Sequence, residues 1–436
     1  MPGDRVRLAV LTGLGGSLST LDVAKSAAGL ADLVFLVDAR EADRHPELRA
    51  VATALGRTTV VDFGDVDGCV RAVRSAAADR AISFVDRLCG LTAAVNRGLG
   101  VDLDRTSTWG RKDAQRALLR ANGTSRVPAA RVEGAADLTR FLDIHGMPAI
   151  LKPVDGVSSR DIWLLRDPEE AAAAVSAVWP DGSLAPMLVE RFLVGDVRAQ
   201  PHLADYVSAE IFRHGGQVGA AFVTDRLRPM APCRETGLVL PSQLGPDATA
   251  EVIRTAQAGL NTIDAADGAF HVEVKPRASG SEIVELNGRL GGYIARLAAY
   301  GAGADLGAAA IATAIGRPPV LDLVWRRCVL VLLFLPPMSA RWMSAVPRRS
   351  ALLTLPGVLA VDDLGSAGAA VDWRQGSDSA VVTVWIEADS AEALHARLIT
   401  VAEYLTETFV FVRPDGARTI DRTWLDEIAG QESERV

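Results

Sequence analysis

The chain has 436 residues, 49% of them hydrophobic, which is enough to bury more than one core, so two or three domains are expected. A net charge of -8 excludes nucleic acid as the main partner, and the basic stretch from Arg226 to Arg234 is too local to reverse it. Cys69, Cys89, Cys233 and Cys328 lie far apart without metal-ligand or redox spacing and read as buried thiols of a reducing cytoplasm, and residues 1 to 25 show no secretory leader.

In chain order, apolar runs at Val6 to Leu14, Leu33 to Val37, Thr59 to Val61 and Ala81 to Val85 alternate with helical patterns at Leu21 to Leu30 and Val66 to Ala78. That alternation predicts a small parallel sheet flanked by helices. The turn Gly13-Leu14-Gly15-Gly16-Ser17 follows a strand and could cradle phosphate, but its loose spacing favours a plain strand-to-helix turn. A helix is expected from Arg105 to Gly123, with Lys112 in its early part and Asn122-Gly123 as its stop. Met147 to Pro153 reads as a buried strand bearing Lys152, followed by a polar loop from Asp155 to Asp161. Pro186 to Asp196 is another apolar strand ending in acid, and further strands are expected around His202 to Thr224. The run Cys328 to Leu335 is far short of the roughly 20 residues a membrane helix needs and reads as a buried strand. From about residue 326, short strands and a helix over Ser390 to Leu405 suggest a separate α+β unit.

Between these lies a hairpin, His271 to Gly292, alternating polar and apolar residues on both sides of a turn at Ser279-Gly280. His271, Glu273 and Lys275 share one face of the first arm; Ile283, Glu285 and Asn287 share one face of the second. Antiparallel pairing sets Glu273 opposite Glu285 and His271 opposite Asn287, about 5 Å apart. Two carboxylates that close demand a cation, and an all-oxygen set of Glu273, Glu285 and the Asn287 amide suits Mg2+ better than zinc. Magnesium held by few protein ligands points to a bound phosphate chain. Only four of 46 basic residues are lysine: Lys25, Lys112, Lys152 and Lys275. An ammonium is not interchangeable with a guanidinium fork, so the last three draw attention, while Lys25 reads as a surface residue.

In this order, Lys112, the Leu151-Lys152-Pro153 strand with its Ser-rich loop, Val189-Glu190-Arg191-Phe192-Leu193 with Asp196, His271-Val272-Glu273, and Glu285-Leu286-Asn287 with Arg289 resemble the ATP-grasp superfamily over most of the chain. The likeness is to its carboxylate-amine ligases of the amino-acid or dipeptide type, on Val223-Thr-Asp-Arg226, Glu235-Thr-Gly237 and Pro241-Ser242. The resemblance implies a mixed α/β and α+β multidomain chain: a Rossmann-like pre-ATP-grasp domain over 1–105, an ATP-grasp domain over 106–325 hinged near 190–193, and a C-terminal α+β lid-side domain over 326–436. It implies that Lys112 and Lys152 address ATP phosphates, that Ser158 and Ser159 belong to the phosphate-covering loop, and that Glu190, Phe192 and Leu193 border the adenine. Asp196 would accept from a ribose hydroxyl, with a solvated acid as the rival. Glu273, Glu285 and Asn287 would hold Mg2+, with two ions expected.

By the same resemblance Arg289 and Lys152 would offset charge on the transferred phosphoryl group, although Arg289 could serve only to neutralise nearby acids. Gly292 and Tyr293 would border the acyl-side pocket, with Tyr293 as a core residue the alternative. Glu235 would take the amine, and Arg226, Arg228, Arg234 and Arg277 are as a group the candidates for substrate carboxylates, any single one of them being more readily an ordinary surface or structural arginine. Two departures stand out: Arg160-Asp161 follows the serines where a glycine is usual, and Leu238 stands where a histidine often does. The implied activity is amide formation between a small carboxylic or amino acid and an amine through an acyl phosphate, releasing ADP and phosphate in the cytoplasm, with natural-product biosynthesis as one setting. Small-molecule substrates, no nucleic acid, no membrane and a homodimer are the expected partners. The rivals are an ATP-dependent carboxylase, ligation to a carrier protein, and a nucleotide-binding regulator without turnover.

Overall fold

The structure is a computed structural model that describes residues 6–101, 106–182, 184–196, 198–420 and 422–430. Near the N-terminus, four parallel strands stand in the order Arg57–Val61, Asp32–Asp38, Arg7–Thr12 and Arg80–Ile82. Both faces are covered, as parallel sheets require: Leu8, Val10 and Phe35 enter one core and Ala9, Leu11 and Leu36 another. The expected alternation is present, with the helices Ala39–Arg44, Pro46–Leu55 and Cys89–Leu99 added to it.

A four-stranded antiparallel sheet follows, ordered Ala129–Val132, Met187–Arg191, Ala149–Pro153 and Trp163–Leu165. Helices Ala135–His145 and Pro168–Val178 close over its core of Leu138, Phe141, Leu151 and Trp179. The second of these helices begins at a proline, with the Asp167 carboxylate accepting from Glu170 N at its cap. The helix expected from Arg105 runs instead over Lys112–Ala121, and Arg105 lies outside the described residues. A Thr106–Thr108 hydroxyl bond of 2.8 Å and a left-handed Gly110 (φ 73°) keep the preceding chain out of helical geometry.

The largest sheet has eight antiparallel strands, ordered Glu282–Asn287, Gly268–Lys275, Leu203–His214, Gln217–Leu227, Gly237–Leu240, Cys328–Phe334, Val382–Ala388 and Val358–Asp362. The boundary expected between 325 and 326 therefore falls inside one sheet. Val329 to Leu333 are buried on both faces, and such a strand sits in a sheet interior, here between Gly237–Leu240 and Val382–Ala388. Beyond it lie helix Ala391–Thr408, capped by the Ser390 hydroxyl, and a small sheet of Trp342–Ala345, Val410–Val412 and Arg418–Thr419. Among the described residues no helix is long and apolar enough to cross a membrane.

In the hairpin, His271 pairs with Asn287 and Glu273 with Glu285, as the alternation predicts. The register then shifts, so Val274 faces Ile283 and Val284 is left over as a bulge. This turns Ile283 into the core, away from the Glu285 face where simple alternation puts it. Gly259 of helix Pro246–Thr262 makes room: a Cβ there would lie 2.4 Å from Ile283 Cδ1.

Candidate active site

The N-terminal, the four-stranded antiparallel and the eight-stranded sheets meet around one cavity of about 960 Å³. Lys112, Lys152 and Lys275 all line it, whereas Lys25 is exposed beside Asp22. Glu273, Glu285 and Asn287 project from the hairpin into it. Lys112, the first residue of its helix, places Nζ 2.5 Å from Glu285 Oε1. Arg226 Nη2 lies 3.0 Å from Glu273 Oε1 and 2.8 Å from His271 Nε2, while the other ring nitrogen of His271 is 2.5 Å from the fully buried Glu210. Burial alone would raise the Glu273 pKa, but Arg226 and His271 more than offset it and hold the carboxyl far below the usual range. The opposed acids thus have their counter-charges in Lys112 and Arg226. Among the described residues no group of three or more His, Cys, Asp or Glu has metal-holding geometry. Two carboxylates and an amide oxygen nonetheless fit a hard cation such as Mg2+, which takes few protein oxygens and completes its shell from phosphate and water.

Arg289 follows on the same strand exit and points back at the N-terminal sheet, its Nη2 2.5 Å from Asp86 Oδ2 and its Nη1 2.8 Å from the Leu290 carbonyl. Burial works against ionisation of Asp86, yet Arg289 and then Lys112 hold its pKa below the ordinary value. Lys152 faces the cavity from the strand Ala149–Pro153 with Nζ 2.7 Å from Glu190 Oε2. Glu190 also accepts from Arg116 Nε, so its buried carboxylate is clasped by two cations. Desolvation would push Glu190 up; Arg116 and Lys152 prevail and bring it down to about 2. The Glu190 side chain is thereby committed to structure, not aimed at a ligand.

Phe192 lines the cavity with Lys275 Nζ 4.7 Å from its ring centroid, and the same ammonium bonds the Leu193 carbonyl at 2.6 Å and Asp205 Oδ2 at 2.8 Å. Asp196, expected to reach the ribose, is exposed outside the cavity and accepts from Ala278 N at 2.6 Å. Asp205 is the acid that lines this end. Gly292 and Tyr293 border the cavity, as does Glu235, which accepts from Arg226 Nη1. Tyr293 takes a left-handed φ of 65°. Arg234 is turned away and almost wholly buried, donating to the carbonyls of Ala231 and Pro336 at 2.8 Å each. Arg228 likewise bonds the Pro201 carbonyl at 3.1 Å.

Ser158 and Ser159 line the cavity in left-handed conformations, both with φ 56°. Arg160 pairs with Asp378 at 2.5 Å rather than facing a phosphate, and the Ser158 carbonyl accepts from Ser377 N at 2.9 Å. Gly376 permits the approach, since a Cβ there would lie 2.0 Å from the Ser158 oxygen. Asp86, Arg116, Asp205 and Glu210 escape the sequence reading. All four acquire their roles from partners far along the chain: Arg289, Glu190, Lys275 and His271 in turn.

No protein-family model matches the chain. It is 29% identical over 211 residues to carnosine synthase 1 of Homo sapiens, covering 45% of this chain and 24% of that protein. It is 27% identical over 192 residues to alanine–anticapsin ligase of Bacillus subtilis, covering 41% of this chain and 40% of that one. The chain thus spans well under half the length of these curated relatives. The crystal structure of L-amino acid ligase from Bacillus licheniformis superposes with a TM-score of 0.70 at 15% identity, over 94% of this chain and 99% of that one. The fold is therefore the ATP-grasp fold. Within it, these relatives are carboxylate-amine ligases.

Proposed function

We propose that the protein is an ATP-dependent ligase that joins a small carboxylic or amino acid to an amine through an acyl phosphate, releasing ADP and phosphate. The observation that carries this is the convergence of Glu273, Glu285 and Asn287 with Lys112, Lys152 and Arg289 around one cavity. Support comes also from the relatives, each of them a carboxylate-amine ligase. Glu273, Glu285 and Asn287 would hold two Mg2+ ions, which when bound offset phosphate charge. Lys152 and Lys112 draw the phosphate chain in, Phe192 and the 190–193 segment border the adenine, and Asp205 is better placed than Asp196 for the ribose. Arg289, oriented by Asp86, faces the phosphoryl group as negative charge builds on its oxygens.

The substrate carboxylate attacks the γ-phosphorus and ADP leaves; the amine then attacks the acyl carbon and phosphate leaves. Glu235 is suited to orient that amine, and the loop at 155–161 excludes water from the acyl phosphate. The chain is proposed to act as a cytoplasmic homodimer, with 1–105, 106–325 and 326–436 as its functional units; the four free cysteines are in keeping with a reducing compartment. The test is an ADP-release screen over pairs of amino acids and related acids. Release that requires both partners, with the amide found by mass, is expected. Release driven by bicarbonate without an amine, or ATP binding with no turnover for any pair, would overturn the assignment.

A further inference from the structure

The cavity extends beyond Glu235 along a wall that the phosphoryl chemistry does not use. Tyr293 opens helix Ile294–Ala302, and its ring lies 5.9 Å from Trp385. One turn later Arg296 lies on the same wall, its guanidinium 4.3 Å from the Trp385 ring centroid and 5.4 Å from that of Tyr300. Arg296 Nε bonds the Tyr300 hydroxyl at 3.0 Å and Nη1 bonds Asp362 Oδ2 at 2.5 Å. Trp385 Nε1 holds the same carboxylate oxygen at 2.8 Å. The guanidinium is thus stacked on aromatic faces and pinned at Nε and Nη1, while Nη2 has no partner among the described residues and 41% of the side chain stays exposed. A fork fixed in orientation with unspent N–H groups is the device by which arginine takes a carboxylate in two parallel bonds.

Other arginines around the cavity are committed differently. Arg226 is divided among Glu235, His271 and Glu273; Arg289 stands at the phosphoryl end with Asp86; Arg160 is spent on Asp378 in the loop contact. Four extended residues and one helical turn separate Arg289 from Arg296, so their Cα atoms are at most about 19 Å apart.

We infer that Arg296 is the anchor for a free carboxylate on the amine-bearing substrate, which makes that acceptor an amino acid bound with its carboxylate at Arg296 and its amine towards Glu235. The inference rests on the ligase assignment for its ligand, but direct binding tests it separately from turnover. Isothermal titration would compare proteinogenic L-amino acids with their α-carboxamides, on the wild type and on Arg296→Gln, each saturated with a non-hydrolysable ATP analogue. The wild type is expected to bind its preferred acids about 10-fold to 100-fold more tightly than the matching carboxamides, as charged hydrogen bonds allow. Arg296→Gln should lower acid binding to the carboxamide level and leave the nucleotide analogue's affinity unchanged. Arg296→Lys, which keeps the charge and loses the fork, should fall between. Wild-type binding blind to the carboxylate, or acid affinity unchanged in Arg296→Gln, overturns the inference. Discrimination by Arg296 without ADP release for any pair would instead leave it standing and remove the ligase assignment.

Discussion

Replacing Glu190 by glutamine keeps its shape and removes its charge, leaving Arg116 and Lys152 facing a neutral amide. Their side chains are only 4% and 8% exposed, so solvent screens little of the loss. Depression of the carboxyl from its ordinary 4.5 to about 2 corresponds to about 3 kcal/mol favouring the ionised, folded form. Breaking a buried ion pair by removing one partner costs about 3–5 kcal/mol, the same range. Glu190→Gln should therefore lose about 3 kcal/mol or more in urea unfolding near neutral pH. Because the folded pKa is the depressed one, the wild type's advantage is complete above about pH 4.5 and is lost as pH falls through about 2. The gap between wild type and variant should narrow to less than half its neutral-pH size near pH 3. A gap below about 1 kcal/mol at neutral pH, or one that does not shrink on acidification, would refute the electrostatic account of this clasp.

Glu285→Gln should lower ADP formation by at least about 100-fold while its circular dichroism spectrum matches that of the wild type; undiminished turnover would remove Glu285 from the metal site. Asp86→Asn frees Arg289 from its anchor, and steady-state kinetics should show kcat falling about 10-fold with the KM for ATP little changed; a KM effect alone would mean Asp86 serves binding. Arg160→Ala and Asp378→Asn should each speed proteolytic cleavage of the 155–161 loop, and the double variant should add little beyond either single change. Additive effects would show that the Arg160–Asp378 pair does not hold the loop.

The hairpin was the most legible element, because a period of two and one turn are enough to oppose Glu273 to Glu285. The bulge at Val284 was not, since it answers to packing of Ile283 beneath Gly259 in a helix that precedes the hairpin. Scarcity of lysine led to three cavity residues because a compact ammonium is retained where a fork does not serve. Arginine was uninformative for the opposite reason. Arg234, Arg116 and Arg296 look alike in sequence, and only tertiary contact gives them, in turn, backbone carbonyls, Glu190 and Asp362. The C-terminal strands read as a separate unit because their turns are local, whereas pairing of Cys328–Phe334 with Gly237–Leu240 spans nearly a hundred residues. Asp196 fitted a motif by position, but its carboxylate is taken up by Ala278 N outside the cavity, which Asp205 lines instead.

The central claim is that a carboxylate is activated by phosphorylation before the amine attacks. It is tested most directly by supplying the acid with its carboxylate oxygens replaced by a heavy isotope and analysing the released phosphate by mass spectrometry. Carboxylate attack on the γ-phosphorus predicts one heavy oxygen in each phosphate formed along with amide. Amide formation with phosphate that carries no label would contradict it.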